Sequence, residues 1–280
     1  MNELLYRDRD WLYDKYINEQ LSALQIAKMM NVSQSTILKW LRRFNIETRP
    51  IINKNPKVNE YFYEVMGGLM IGDGNLNIPN NYKNASFQIA QIEKQSDFIY
   101  WIANFLDEYN IEYKIYKRDK HKNGYIKKDG KVGIRNPQLR IETKRYELFN
   151  DIYYKHYGEN GRLIPKDIKL TPLQLAIWYM SDGSLEYNKC AGSYQIRLST
   201  YRYHINDLGW LVENIYDLYD IRFNMNRDGR VKNKNCGYRL TIGKKHQVYK
   251  FCKLIEPHIC NCFKYKVECL KDEQWLSKII

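Results

Sequence analysis

Two aspartates in this chain stand where a helix ends, a place that disfavours them. Met66-Gly67-Gly68-Leu69-Met70-Ile71-Gly72-Asp73-Gly74 and Leu175-Ala176-Ile177-Trp178-Tyr179-Met180-Ser181-Asp182-Gly183 are both apolar helical segments closed by one aspartate and one glycine. The C-terminal end of a helix already carries partial negative charge, so a carboxylate there is repelled. Finding it twice, on equivalent segments, points to a cation meant to sit between the two carboxylates. Hard oxygen ligands suit Mg²⁺ (or Mn²⁺), which keeps much of its water and readily takes phosphate oxygens. The natural reaction is metal-assisted hydrolysis of a phosphodiester. The structural alternative is a core helix pair whose carboxylates simply sit at exposed ends.

The elements around each segment repeat in the same order. From Val58 the apolar residues Val58, Phe62, Val65 and Leu69 fall at helical spacing. Strand-like stretches follow at 76–78 and 85–92, a helix at about 97–109, an alternating strand Ile111-Glu112-Tyr113-Lys114-Ile115-Tyr116, a Lys- and Gly-rich hairpin tip at 121–131, a strand at 132–143 and a helix at 146–157. The order restarts at Thr171-Pro172-Leu173-Gln174, a helix start with a capping residue, proline in the first turn and Gln three residues after the cap. Strands at 184–187 and 194–200, a helix at 205–219, strands at 221–228 and 238–242 and a helix from Lys245 complete it. The focal aspartates lie 109 positions apart, at 73 and 182. This spacing is too long for a solenoid repeat and suits two pseudo-symmetric subdomains. The expected fold is α+β: two αββαββα subdomains, 59–165 and 166–280, packed through the two focal helices. Gly67, Gly68 and Ala176 supply small side chains where the backbones approach.

A separate helical unit precedes them. Trp11, Leu12, Tyr16 and Ile17 mark one amphipathic helix; Ser22 and Gln25 form a capping box for a second, with Leu24, Ala27 and Met30 on its inner face and Ile26 beside them. A turn at Asn31-Val32-Ser33 leads to a third helix that turns Ile37, Leu38 and Leu41 inward. This is a helix-turn-helix pattern over 1–48, joined by a linker at 49–58 that contains Pro50 and Pro56. Gln34, Ser35, Thr36 and Lys39 would meet base edges, with Arg42, Arg43 and Arg49 for phosphates. A helical hairpin used for protein contacts is the alternative.

The whole chain carries a formal charge of +13 over 280 residues. A folded, strongly basic protein most often neutralises nucleic acid. A hydrophobic fraction of 44% excludes general disorder. There is no run of about 18 apolar residues and no charged-then-apolar opening at Met1-Asn2-Glu3, so a soluble, intracellular protein is expected, its compartment open. The six cysteines contain no C-x-x-C pair and are expected to be reduced core residues. Alternating strand positions supply a polar DNA surface: Lys114, Tyr116, Arg118, Arg140 and Glu142 in one half, and Arg197, Asn224, Asn226, Arg239 and Thr241 in the other. A solvated sheet face alternates in the same way.

The two segments resemble the paired motifs of the LAGLIDADG homing endonucleases in their monomeric, two-repeat form. Gly68-Leu69-Met70-Ile71-Gly72-Asp73-Gly74 is similar to a first copy. Leu175-Ala176-Ile177-Trp178-Tyr179-Met180-Ser181-Asp182-Gly183 is similar to a second copy of an intron-encoded subgroup, with Ser181 in place of its first Asp. The resemblance covers roughly 58–270. It implies antiparallel sheets that form a DNA-binding saddle, and a metal site at Asp73 and Asp182 with their neighbours Gly72 and Ser181. It also implies a basic residue near each scissile phosphate. In the second half, Pro257 and Phe263-Lys264-Tyr265-Lys266 point to Lys266; in the first, Gly161-Arg162-Leu163-Ile164-Pro165 offers Arg162, with Lys166 nearby as a substitute. Gln88 resembles a polar residue that faces the centre. The implied activity is metal-dependent, site-specific cleavage of both strands of a long duplex across the minor groove, leaving short 3′ overhangs, by a single chain that needs no protein partner. Superfamily relatives that work as noncatalytic transcription regulators or as RNA maturases define the alternatives.

Overall fold

Capping serines set the N-terminal unit. The computed structural model describes residues 5–48, 55–118, 125–126, 132–133, 136–159, 161–228 and 235–279, and the chain divides into two compact units, Met1–Ile52 and Asn53–Ile280. In the first unit α1 (Arg9–Tyr13) continues into a π-helical turn at Asp14–Asn18, followed by α2 (Ala23–Met29) and α3 (Gln34–Arg43). The Ser22 side chain accepts from the Gln25 N–H and the Gln25 side chain accepts from the Ser22 N–H, the reciprocal box expected from the sequence. Ser33 caps α3, and Asn31 turns the chain between the helices with a left-handed φ of 49°. Leu12, Ile26, Ala27, Ile37 and Leu41 are buried together. Leu24, expected on the inner face, is 47% exposed. The face of α2 that packs inward is Ala23, Ile26, Ala27 and Met30, a helical stripe that leaves position 24 outside. Of the expected linker only residues from Asn55 onward are described; Arg49 and Pro50 lie outside the described residues.

The second unit begins with α4 (Glu60–Ile71), β1 (Asn75–Asn77), β2 (Ser86–Ile92), α5 (Ser96–Glu108) and β3 (Tyr113–Arg118). A short ribbon of β4 (Tyr125–Ile126) and β5 (Val132–Gly133) follows, then β6 (Gln138–Thr143) and α6 (Leu148–His156). Within the predicted hairpin tip at 121–131, only 125 and 126 are described. After a second ribbon, β7 (Tyr157–Gly158) with β8 (Gly161–Arg162), the order restarts: α7 (Pro172–Asp182), β9 (Gly183–Asn188), β10 (Ser193–Leu198), α8 (Ile205–Tyr219), β11 (Asn224–Arg227), β12 (Tyr238–Ile242) and α9 (Lys245–Ile255). A 3-10 segment at Asn261–Lys271 and α10 (Glu273–Leu276) close the unit. Two antiparallel sheets result, ordered β1-β2-β6-β3 and β9-β10-β12-β11. The register repeats with the order: Asn75 pairs with Gln88, and Ser184, 109 positions on, pairs with Arg197, 109 positions on from Gln88.

Two strands start later than the alternation predicts. Asn110 takes a left-handed φ of 53° after α5, and the Ile111 N–H donates back to the Leu106 carbonyl at 3.0 Å. Ile111 therefore closes the helix end and plugs the core at 2% exposure, and the strand begins two residues on. Asp220, at φ 49°, and the buried Ile221 occupy the same place after α8.

The two halves meet along α4 and α7. A Cβ on Gly67 would lie 2.6 Å from Gln174 Nε2, one on Gly68 would lie 2.9 Å from Ile177 Cβ and 3.1 Å from the Gln174 backbone, and one on Gly72 would lie 2.8 Å from Ser181 Oγ. The residues facing the glycines are thus Gln174, Ile177 and Ser181, one stripe of α7, whereas the sequence reading placed Ala176 there. Glu64 accepts from the Thr171 hydroxyl and Glu60 from Lys169 at 3.1 Å, tying the two helices at their other ends. Gly68→Val should lower stability by about 1–3 kcal/mol, because the added atoms meet the Ile177 Cβ and the Gln174 backbone, neither of which can rotate away. A thermal melt checks this; an unchanged midpoint would mean the helices pack less closely than described.

His156, at the end of α6, is 4% exposed with no partner for Nδ1 among the described residues. Burial, and then the charge of Arg162, push it down to about 4. Its folded value lies below its unfolded one, so its neutral form favours the folded state above about pH 6.5, and this contribution is lost as pH falls toward 4. The loss amounts to at most about 3 kcal/mol. His156→Leu should flatten the pH dependence of unfolding over that window; the same slope in the variant would reassign the effect to other groups. Of the cysteines, Cys252 and Cys269 are buried as expected, with Sγ atoms 3.5 Å apart, but Cys190 is exposed and Cys236, Cys260 and Cys262 are half-buried. Among the described residues no helix is long and apolar enough to cross a membrane.

Candidate active site at the ends of the motif helices

Because Gly72 lies against Ser181, the C-terminal ends of α4 and α7 abut. Asp73 follows the helix cap and is exposed, and the Gln91 side chain donates to its Oδ2 at 2.9 Å. Asp182 is the last residue of α7, and its side chain is only 13% exposed. Arg202, in the turn between β10 and α8, pairs with Asp182 Oδ2 at 3.3 Å and also donates to the carbonyls of Ile71 and Gly72. One guanidinium therefore holds the second carboxylate against the end of the first helix. Tyr203 donates to the Ile71 carbonyl at 3.0 Å.

Burial raises Asp182 to about 7; Arg202 opposes this, and the negative charge of Asp73 adds to it. The Ser181 Oγ, buried against Gly72, has no hydrogen-bond partner among the described residues. Two converging carboxylates beside an unpartnered hydroxyl make an all-oxygen donor set, which fits Mg²⁺ or Mn²⁺ and not a thiophilic ion. Among the described residues no three of His, Cys, Asp and Glu gather into a closed cage, so water and substrate oxygens would complete the coordination.

Helix C-termini leave carbonyls unpaired, and here cationic side chains take them. Lys266, 5% exposed in the 3-10 segment, donates to Met180 O at 2.6 Å and Tyr179 O at 3.3 Å, while the Tyr179 hydroxyl donates to Lys266 O at 2.8 Å. Burial drives Lys266 down to about 8 against the pull of Asp73 and Asp182. Arg162, on β8, donates to Met70 O at 2.7 Å and Gly74 O at 2.6 Å, over the ring of Tyr157. Met70 and Tyr179 stand three residues before their respective aspartates, so Arg162 and Lys266 occupy matching places in the two halves. Lys166 does not: it is 2.8 Å from Asp207 and stacks over Trp210, because the turn after Pro165 carries it onto α8.

Gln88 lies on the other face of the sheet from Asp73's partner. Cross-strand neighbours share a face, and the register aligns Asn75, Gln88, Glu142 and Lys114 in one row, with Ala90, Arg140 and Tyr116 in the next. Gln138 and Arg118 make a third row. Phe87, Ile89 and Gln91 face the core instead, which is how Gln91 and not Gln88 reaches Asp73. In the second half Ser184, Arg197, Thr241 and Asn224 form one row and Arg239 and Asn226 another. All the residues expected on the polar faces are thus brought to one side of their sheets. Within them Arg140 stacks over Tyr116 and pairs with Glu142 at 2.7 Å, Arg197 pairs with Glu186 at 2.9 Å, and Asn226 donates to Thr241 at 2.7 Å.

Sequence reasoning passed over Gln91, Arg202 and Tyr203. For Gln91 a signal exists: it is polar at a position whose alternation, Phe87 then Ile89, demands an apolar side chain. Arg202 and Tyr203 sit in a turn without periodicity and leave none.

The sequence profile of the LAGLIDADG DNA endonuclease family matches residues 63–251. The chain belongs to that family. An uncharacterised protein of Methanocaldococcus jannaschii is 27% identical over 95% of this chain and 98% of its own length. A cytochrome b mRNA maturase, bI2, of Debaryomyces hansenii is 24% identical over 82% of each chain. Among solved structures, the homing endonuclease I-WcaI bound to its DNA recognition sequence shares the fold of this LAGLIDADG protein, with a TM-score of 0.59 and 22% identity over 75% of this chain and 87% of that one.

Proposed function

We propose that this LAGLIDADG protein, acting as a single chain, cuts both strands of a specific duplex DNA by metal-dependent phosphodiester hydrolysis at Asp73 and Asp182. The observation that carries this reading is the convergence of the two carboxylates at abutting helix ends, in a chain whose two sheets each turn a row of basic and polar side chains to one face. When bound, Mg²⁺ or Mn²⁺ supplies Lewis-acid polarisation of the scissile phosphate and an activated water. The protein's own groups do the rest. Asp73 and Asp182 would hold the ion, and Gly72 against Ser181 brings the two helix ends together. Lys266 and Arg162, each anchored on helix carbonyls, add positive charge beside the phosphates, and Lys266, driven down by burial, can also give up a proton where an arginine cannot. Lys114, Tyr116, Arg118, Arg140, Gln88, Arg197, Asn224, Asn226 and Arg239 form the saddle that follows the groove.

Incubation with a plasmid bearing the uninterrupted allele of the host gene and Mg²⁺ should convert supercoiled DNA to the linear form, and EDTA should prevent it. DNA that stays intact at every metal concentration while remaining tightly bound would favour a transcription regulator. The maturase relative keeps one other reading in play: a preference for structured intron RNA over duplex DNA would favour an RNA maturase.

A further inference from the structure

We infer that the N-terminal unit is a second duplex-DNA-binding site, which reads a major groove with α3 independently of the nuclease unit. Its charges are segregated. Between Leu21 and Ile46 there is no acidic residue, and Lys28, Lys39, Arg42 and Arg43 are the charges on α2 and α3. Of the unit's described carboxylates, Asp8 caps α1, Asp10, Asp14 and Glu19 pair with Arg9 and Lys15, and Glu47 is exposed beyond the end of α3. The basic groups of α2 and α3 thus keep their charge for a polyanion.

The shape of α3 fits the same ligand. Ile37 and Leu41 bury one side against α2, leaving Ser35, Lys39 and Arg42 as a stripe on the opposite, exposed side. A helix of ten residues is about 15 Å long and fits a major groove. Division of labour follows from what each side chain already does. The Ser35 and Thr36 hydroxyls are 2.7 Å and 2.8 Å from Ser33 Oγ in the helix cap, which leaves exposed Gln34 and Lys39 as the groups free to reach base edges. Arg43 is stacked 4.8 Å from the Trp40 ring, and with Arg42 it stands at the C-terminal end for phosphates. Charge complementarity along the whole stripe selects duplex DNA as the occupant.

The test uses the full chain and a pool of randomised-sequence duplex DNA, in EDTA so that cleavage plays no part and the result is separate from the nuclease reading. Lys39→Ala/Arg42→Ala changes two exposed side chains and should leave the melting temperature unchanged. Wild-type protein should select, in addition to one block of bases for the nuclease unit, a separate block that the variant does not select. The salt dependence of binding should become shallower by about 1 in log–log slope as the phosphate-facing charge of Arg42 is removed. Identical selected blocks and identical slopes would overturn the inference, as would a loss of affinity confined to structured RNA.

Discussion

Asp73→Asn and Asp182→Asn should each reduce double-strand cleavage by about a thousandfold while DNA affinity stays within about threefold of wild type. That is the loss expected when a ligand worth about 4 kcal/mol of transition-state charge stabilisation is removed. The two variants separate chemistry from folding. Asp73 is exposed and held by Gln91 through one oxygen, so an amide there disturbs no core. Asp182 is largely but not fully buried, and its partner Arg202 keeps the Ile71 and Gly72 carbonyls as acceptors, so its charge is not stranded by the change. Strand-resolved gels in Mg²⁺, with affinity measured in EDTA, provide both readouts. Cleavage that persists in both variants would remove the aspartates from the metal site.

The second large effect is asymmetric. Lys266→Met should slow cleavage of one strand by about a hundredfold, the scale of losing one charged or proton-transferring group, and nicked DNA should accumulate. Arg162→Met should affect the other strand and also soften the end of α4, because Arg162 ties Met70 to Gly74. Even the wild-type sites are unequal. Asp73 faces an uncharged glutamine, whereas Asp182 is buried under an arginine. The cationic side chain anchored on the motif-helix carbonyls is an arginine in the first half and a lysine in the second. A nicked intermediate early in the wild-type reaction is the expected sign; equal rates on the two strands at all times would contradict this asymmetry.

Much of this arrangement is legible in the sequence. Capping chemistry fixed helix starts to the residue at Ser22, Ser33 and Thr171, because reciprocal side-chain to backbone hydrogen bonds need particular residues at particular offsets. The duplication predicted the αββαββα order in both halves, and alternation brought the residues expected on the polar faces to one side of each sheet, since a period of two leaves no choice once register is set. What escaped was what depends on tertiary contact. Ile111 and Ile221 alternate like strand residues but serve as helix stops, a role decided by the left-handed residue before each. Gln88 resembles a site residue by position, yet the pleat turns it away from Asp73 and turns Gln91 toward it. Arg202 reaches both carboxylate and carbonyls from a turn, and only the packing of α4 on α7 shows that it stands there. Lys166 follows Arg162 closely in sequence, but a turn separates their directions.

In the proposed reaction the two motif aspartates would jointly hold divalent metal in contact with DNA. Anomalous diffraction from a crystal of the Lys266→Met variant with its target and Mn²⁺ tests this most directly. Mn²⁺ peaks are expected within coordination distance of Asp73 and Asp182, between the helix ends. Mn²⁺ found only elsewhere, with both carboxylates free of metal in a fully bound complex, would contradict it.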